Sequence, residues 1–285
     1  YLTAVVACSL VVAMTLFANS ANGQLSDDAI RELVSEMTLA EKVGQMTQLT
    51  IQPLSEVKGV PGTSFKVDAL LLREAIVERH VGSLLNVYDM AMTTHEWESL
   101  INQVQDLAIN ETKHGIPIIY GIDAVHGNNY HVEATLFPQN LGLAATWNTQ
   151  LVGEVSRQTA KETRSVGIPW NFAPVLDVGR QPLWSRFFET FGEDVFMATV
   201  LGRASITAQQ HATPEGFATV AATGKHFLGY SLPLSGKDRT PAWIPERMLR
   251  EYILPPFKEA IDQGLLTMMV NSGEINGEPV HASHR

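Results

Sequence analysis

His114-Gly115-Ile116-Pro117-Ile118-Ile119-Tyr120-Gly121-Ile122-Asp123 and Val166-Gly167-Ile168-Pro169-Trp170-Asn171-Phe172-Ala173-Pro174-Val175-Leu176-Asp177 repeat one design. In each, a glycine stands where a helix ends and the chain needs a left-handed conformation. A proline opens the next run, where a strand needs no backbone donor. An apolar run follows and stops on an aspartate. Such a run, entered from a helix, is the unit of a parallel sheet covered on both faces.

The alternation extends in both directions. Residues 26–37 read as a helix with Asp27 and Asp28 in its first turn, where acids suit the helix dipole. Thr38 and Glu41 form a capping box for a second helix running towards Gln48. Further helices are expected over 68–79, 96–113, 148–165, 193–210 and 245–263, the last with Pro245 at its first position. Strands are expected over 82–87, around 117 and 169, over 217–223 and over 265–270. The fold class is therefore α/β, and a (β/α)8 TIM-like barrel fits better than a doubly wound sheet. Neither Gly-x-Gly-x-x-Gly nor a P-loop follows any strand. Asp123, Asp177, Lys225, His226 and Asn271 close several different strands, and a barrel gathers such residues on one rim. About five of the eight units are expected, so the barrel reads as incomplete, cut off after its fifth strand. Its open edge would expose unpaired backbone groups and favour aggregation.

The chain has 285 residues, 45% hydrophobic and 18% charged. That is a folded-domain composition, not a disordered or coiled-coil one. Its length suffices to bury a core without disulfides or metal. Thirty acidic residues against twenty basic ones give a net charge of −10. Nucleic acid is excluded as the expected partner, because its binders carry basic surfaces. Residues 1–18 are almost wholly apolar, and the first charge is Asp27. Ala21 and Gly23 fit the small-residue positions of a signal-peptidase site. Residues 1–23 are therefore read as a front-truncated signal peptide, and 24–285 as the barrel domain. A membrane anchor is the rival, but the run is short and lacks a basic stop. The expected location is secreted or periplasmic, with no stable membrane association after cleavage. Cys8, the single cysteine, lies in the apolar run. The domain is left without a thiol for a disulfide, a zinc site or a nucleophile.

Gly121-Ile122-Asp123-Ala124-Val125-His126-Gly127 resembles the first signature of glycoside hydrolase family 3, the β-glucosidase and exo-β-glucanase family. Three further segments agree in order and spacing. They are Pro174-Val175-Leu176-Asp177 with Trp184-Ser185-Arg186 and Gly192-Glu193-Asp194, then Lys225-His226-Phe227, then Asn271-Ser272-Gly273-Glu274-Ile275-Asn276-Gly277. The resemblance covers roughly residues 29–285 and implies the family's N-terminal barrel domain. It implies release of terminal, nonreducing β-D-glucose from β-glucosides or β-glucans by a retaining mechanism, with no cofactor and no metal. The implied partner is a β-linked glucoside or glucan oligosaccharide. Asp123, Arg186, Lys225 and His226 would bind sugar hydroxyls. A carboxylate accepts where a hydroxyl donates, and Lys and Arg donate without competing as acceptors. Such charge-assisted bonds are about twice as strong as neutral ones.

A retaining glycosidase needs two carboxyls about 5–5.5 Å apart. The family places its nucleophile in a Ser-Asp-Trp setting, and none occurs in the sequence. Nucleophile and acid/base are therefore expected beyond Arg285, and the domain alone is expected to be inactive. Gln181-Pro182-Leu183-Trp184-Ser185-Arg186 keeps the family's anchoring arginine but loses a neighbouring arginine and glycine. One branch of the family cleaves N-acetylhexosaminides with a loop Asp-His pair, but residues 228–240 hold no histidine. That favours a glucosidase.

Each site residue has a plainer alternative. Asp123 could end a strand as a turn residue. Asp177 reads as structural, a partner for Arg180 or Arg186. Glu189 could orient Arg186, and Glu193-Asp194 could simply open the next helix. His126 and His131 lack the spacing of a His-Glu-x-x-His metal site. Trp147, Trp170 and Trp184 could stack on sugars or pack in the core. A noncatalytic sugar-binding homologue and a metal-dependent barrel hydrolase remain alternatives to the glucosidase.

Overall fold

Six short parallel strands form one sheet in the order β1-β2-β3-β4-β5-β6, so neighbours in space are neighbours in sequence. The computed structural model describes residues 25–56, 65–87, 90–211, 216 and 219–284. The strands are β1 (Gln48–Thr50), β2 (Ser83–Leu85), β3 (Ile119–Ile122), β4 (Trp170–Asn171), β5 (Ala221–Phe227) and β6 (Thr267–Val270). The sheet curls into a half-barrel of the TIM type, as expected for an incomplete (β/α)8 domain. The signal-peptide reading of residues 1–23 lies outside the described residues. Among those described, no helix is long and apolar enough to cross a membrane.

The helices follow from their caps. Ser26 caps α1 (Asp27–Glu36) through the Ala29 N–H. The capping box of Thr38 and Glu41 starts α2 (Leu39–Gln45). Asp68 caps α3 (Ala69–Arg73), which continues as a π turn over Glu74–Glu78. A second capping box, Thr93 with Glu96, starts α4 (Thr94–Glu111). The short α5 (Asn140–Ala144) precedes α6 (Thr149–Ser165), which Asn148 caps. Asp194 caps α7 (Val195–Gln210) by accepting from the Met197 N–H, so Glu193-Asp194 do open that helix. The helix expected over 245–263 is three pieces: α8 (Glu246–Met248), a π turn (Leu249–Ile253) and α9 (Pro255–Asp262). Pro255 and Pro256 lack backbone donors, so the last piece starts afresh on them.

Of three buried clusters among the described residues, one packs α5, α6 and α7 on each other and two hold helices to the sheet. Leu72, Ile76, Leu84, Trp97, Val104, Tyr120 and Ile122 join α3 and α4 to β2 and β3. Leu176, Ile206, Ala222, Phe257 and Ala260 join α7 and α9 to β5. Gly121 is required by packing: a Cβ there would come within 2.2 Å of the Phe172 ring.

Two departures from the expected elements matter. β1 is a sixth strand, where the sequence suggested the tail of a helix. Gln48-Leu49-Thr50 has no apolar run to mark it. It is a strand because it pairs with β2, Gln48 opposite Ser83 and Thr50 opposite Leu85. The strand expected over 217–223 is β5, displaced to Ala221–Phe227, so Lys225 and His226 lie within it and not just past its end. After β6, Asn276-Gly277 make a two-residue turn between β7 (Glu274–Ile275) and β8 (Glu278–Pro279). Both have positive φ, 54° and 85°, which Asn-Gly tolerates best in this turn.

Candidate active site

The carboxyl ends of β2, β3 and β5 converge on Asp123. This residue follows β3 directly, and Lys225 reaches it from β5 past the two-residue β4. Lys225 Nζ donates to Asp123 Oδ1 at 2.7 Å. The Lys225 side chain is 2% exposed and that of Asp123 34%, so the ammonium is sealed below a carboxylate that still reaches the surface. Asn86, just past β2, donates from Nδ2 to Asp123 Oδ2 at 2.8 Å. Burial works against the Asp123 charge. The Lys225 cation and the Asn86 hydrogen bond outweigh it, with a further contribution from Arg186, and hold the carboxyl below the ordinary range.

His226 is held by Asp177. Asp177 Oδ2 accepts from His226 Nδ1 at 2.7 Å and from the His226 backbone N–H at 2.9 Å. Asp177 is fully buried, and its Oδ1 has no hydrogen-bond partner among the described residues. The structural reading of Asp177 thus holds, but its expected partners do not. Arg180 lies over the Tyr252 ring, and Arg186 turns to Glu189. The buried carboxylate takes the histidine because β5 runs alongside: Val175 is bridged to Lys225.

Arg186 is gripped by Glu189 through two hydrogen bonds, Nε to Oε1 at 2.7 Å and Nη2 to Oε2 at 2.8 Å. This fork fixes the guanidinium plane, so Glu189 does orient Arg186. Arg186 lies 5.6 Å from the centre of the Tyr230 ring. The same ring meets His226 at 4.6 Å and Trp184 at 5.3 Å. Tyr230 therefore joins Arg186 to the Lys225-His226 strand in one cluster. Burial raises the pKa of Tyr230, and Asp238 beside it acts in the same direction. Asp238 accepts from Trp184 Nε1 at 2.8 Å.

A family model, the glycosyl hydrolase family 3 N-terminal domain, matches residues 38–285. The chain belongs to glycosyl hydrolase family 3. It is 45% identical over 273 residues to the lysosomal beta glucosidase of Dictyostelium discoideum, covering 91% of this chain and 33% of that protein. It is 30% identical to the periplasmic beta-glucosidase of Salmonella typhimurium, covering 94% of this chain and 32% of that protein. The exo-1,3/1,4-beta-glucanase of a Pseudoalteromonas species superposes with a TM-score of 0.75 at 30% identity. That match covers 88% of this chain and 31% of the glucanase. The chain thus spans about a third of the length of the curated relatives it matches.

Within this family 3 domain, the four expected binding residues fall in one cluster. Asp123 and Lys225 touch, His226 follows Lys225, and Tyr230 links His226 to Arg186. Asn271 is spent on backbone groups instead: Nδ2 donates to the Leu228 carbonyl just past β5 and Oδ1 accepts from the nearby Gly273 N–H. His126 Nδ1 meets the Phe137 carbonyl, while His131 Nε2 meets Glu133, so the two histidines serve separate contacts. Trp184 is buried on Asp238, Trp170 donates to Thr223 and Thr267, and Trp147 is exposed. Asn86, Tyr230 and Asp238 were not legible as site residues. Asn86 carries the one usable signal, a polar side chain closing the apolar Leu84-Leu85 pair as Asp123 closes its own strand.

Proposed function

We propose that the rim around Asp123 binds the terminal glucosyl unit of a β-glucoside or β-glucan oligosaccharide. The intact protein then hydrolyses the glycosidic bond with retention. The observation that carries this reading is Asp123 held ionised between Lys225 and Asn86 while its carboxylate stays open. Each Asp123 oxygen has one hydrogen bond from the protein and lone-pair capacity for a donating hydroxyl. Arg186 and His226 supply donors beside it. This is the chemistry that fixes a sugar ring by its hydroxyls and helps distort it at the reacting carbon. The 45% identity to a protein named a beta glucosidase supports glucose as the sugar.

The carboxylates of the cluster are already committed: Asp123 to Lys225, Asp177 to His226, Glu189 to Arg186 and Asp238 to Trp184. In this reading the nucleophile and the acid/base come from other residues. The same observation favours a second reading, a sugar-binding protein without hydrolysis. Export to the periplasm or beyond is proposed from the apolar residues 1–18 and the periplasmic relative.

An aryl-glycoside panel on the intact protein tests the proposal, with the anomer of the first product read by NMR. The expected result is β-glucoside cleavage to β-glucose, unchanged by a chelator. Binding without cleavage would support the sugar-binding homologue, and loss with chelator the metal-dependent hydrolase.

A further inference from the structure

We infer that Asn86 is a positioning residue, setting the Asp123 carboxylate in the plane in which it meets the sugar. The inference rests on the glucosidase reading and goes beyond it, because Asn86 lies outside every motif that carries the family resemblance. All four of its polar groups are spent on β3 and the residue that follows it. The Asn86 N–H donates to the Gly121 carbonyl at 3.0 Å. The Asn86 carbonyl accepts from the Tyr120 hydroxyl at 2.7 Å, and Tyr120 is fully buried. Oδ1 accepts from the Asp123 backbone N–H at 2.9 Å, and Nδ2 donates to Asp123 Oδ2 at 2.8 Å.

The residue type follows from this arrangement. At φ 51° the backbone is left-handed, a conformation that asparagine visits far more readily than most residues with a side chain. The side chain must accept from one group of Asp123 and donate to another. An aspartate at 86 could only accept, and would set a second carboxylate against the first. A glycine would suit the backbone and supply neither bond. With Oδ2 held by Asn86 and Oδ1 by Lys225, the Asp123 carboxylate is restrained at both oxygens. Removing one restraint lets it rotate away from the ligand while the Lys225 pair survives.

The test uses the intact protein and the pair Asn86→Gly and Asn86→Asp. Asn86→Gly keeps the left-handed backbone but leaves the half-buried Asp123 N–H without its acceptor, so its melting temperature should fall by only a few degrees and the protein should remain folded. Its kcat/KM on an aryl β-glucoside should fall at least about tenfold, the scale of one hydrogen bond to a charged group. Asn86→Asp should fall further. A set of monodeoxy glucosides separates positioning from a structural defect. On the substrate lacking the hydroxyl that Asp123 accepts, wild type and Asn86→Gly should differ less than about twofold, because the restrained contact is already missing. Equal losses on every substrate would overturn the assignment, as would an Asn86→Gly enzyme with wild-type kinetics. A wild-type protein that neither cleaves nor binds glucosides sinks the glucosidase reading, and this inference with it. Wild-type cleavage with an indifferent Asn86→Gly variant sinks only the inference.

Discussion

Two histidine–carboxylate pairs occupy opposite ends of the half-barrel, and they are built differently. At the carboxyl end, His226 and Asp177 meet at 2.7 Å, and Asp177 also accepts from the His226 backbone. At the amino end, His114 Nε2 stands 3.5 Å from Glu41, too far for a hydrogen bond. Glu41 spends its other oxygen on Thr38, accepting from the backbone N–H at 2.7 Å and the hydroxyl at 2.8 Å. The two line a cavity of about 20 Å³ together with residues that lead into β2 and β3, among them His80, Val81 and Ile118. The upper pair aims a side chain across the fold. The lower carboxylate starts a helix, and its histidine stands beside it without a hydrogen bond to it. In barrels the carboxyl end gathers ligand-binding groups and the amino end serves stability. The two pairs lie at those two ends.

Four measurements on the intact protein would break or sharpen this contrast. The largest effect is expected from Asp123→Ala. Losing an anchoring contact to a hydroxyl should lower transition-state binding by about 2–3 kcal/mol, read as kcat/KM on a β-glucoside. Unchanged kinetics would remove Asp123 from the site. Next comes Asp177→Ala, which frees the His226 ring and strands the backbone N–H. Stability should drop by about 1–3 kcal/mol in urea unfolding, with kcat/KM falling in parallel. Stability loss without a kinetic loss would reduce the upper pair to scaffolding.

Thr38→Ala is the matched test at the lower end. Removing an N-cap should cost about 1 kcal/mol of stability and leave kcat/KM within twofold. A kinetic effect there would erase the distinction between the ends. The smallest effect is in the pH dependence. The Glu41 carboxyl is held low chiefly by the Thr38 backbone and hydroxyl hydrogen bonds. A depressed carboxyl stabilises the fold above its unfolded pKa, about 4.3 for glutamate. That stabilisation is lost as pH falls through the folded value. The Thr38→Ala deficit should therefore shrink in acid, below about pH 4. Asp123 is also held low, so glucoside binding should persist down to the edge of the ordinary carboxylate range near pH 3.9 and fade below it.

Much of the fold could be read from local chemistry. The capping box at Thr38 and Glu41, the Gly-Ile-Pro entries to β3 and β4, and Asp194 before α7 are contacts within a few residues. Each shows in the order of side chains. β1 escaped because three residues of mixed polarity become a strand only when β2 lies beside them. The candidate site was legible where family motifs run through it, at Asp123, Arg186, Lys225 and His226, which the fold brings into one cluster. Tyr230 escaped because its role is to lie between Arg186, His226 and Trp184, which no spacing announces.

The sequence by itself determined the alternation of apolar strands and capped helices, the α/β class and the polar residues that close the strands. These depend on hydrophobic periodicity and on donors and acceptors a few positions apart. Only the tertiary structure decided the partners. Lys225 finds Asp123 across 102 positions, and Asp177 finds His226 across 49. Asn86 reaches Asp123 across 37. A hydrogen bond requires about 3 Å and a direction, and between distant residues only the curl and register of the sheet supply both.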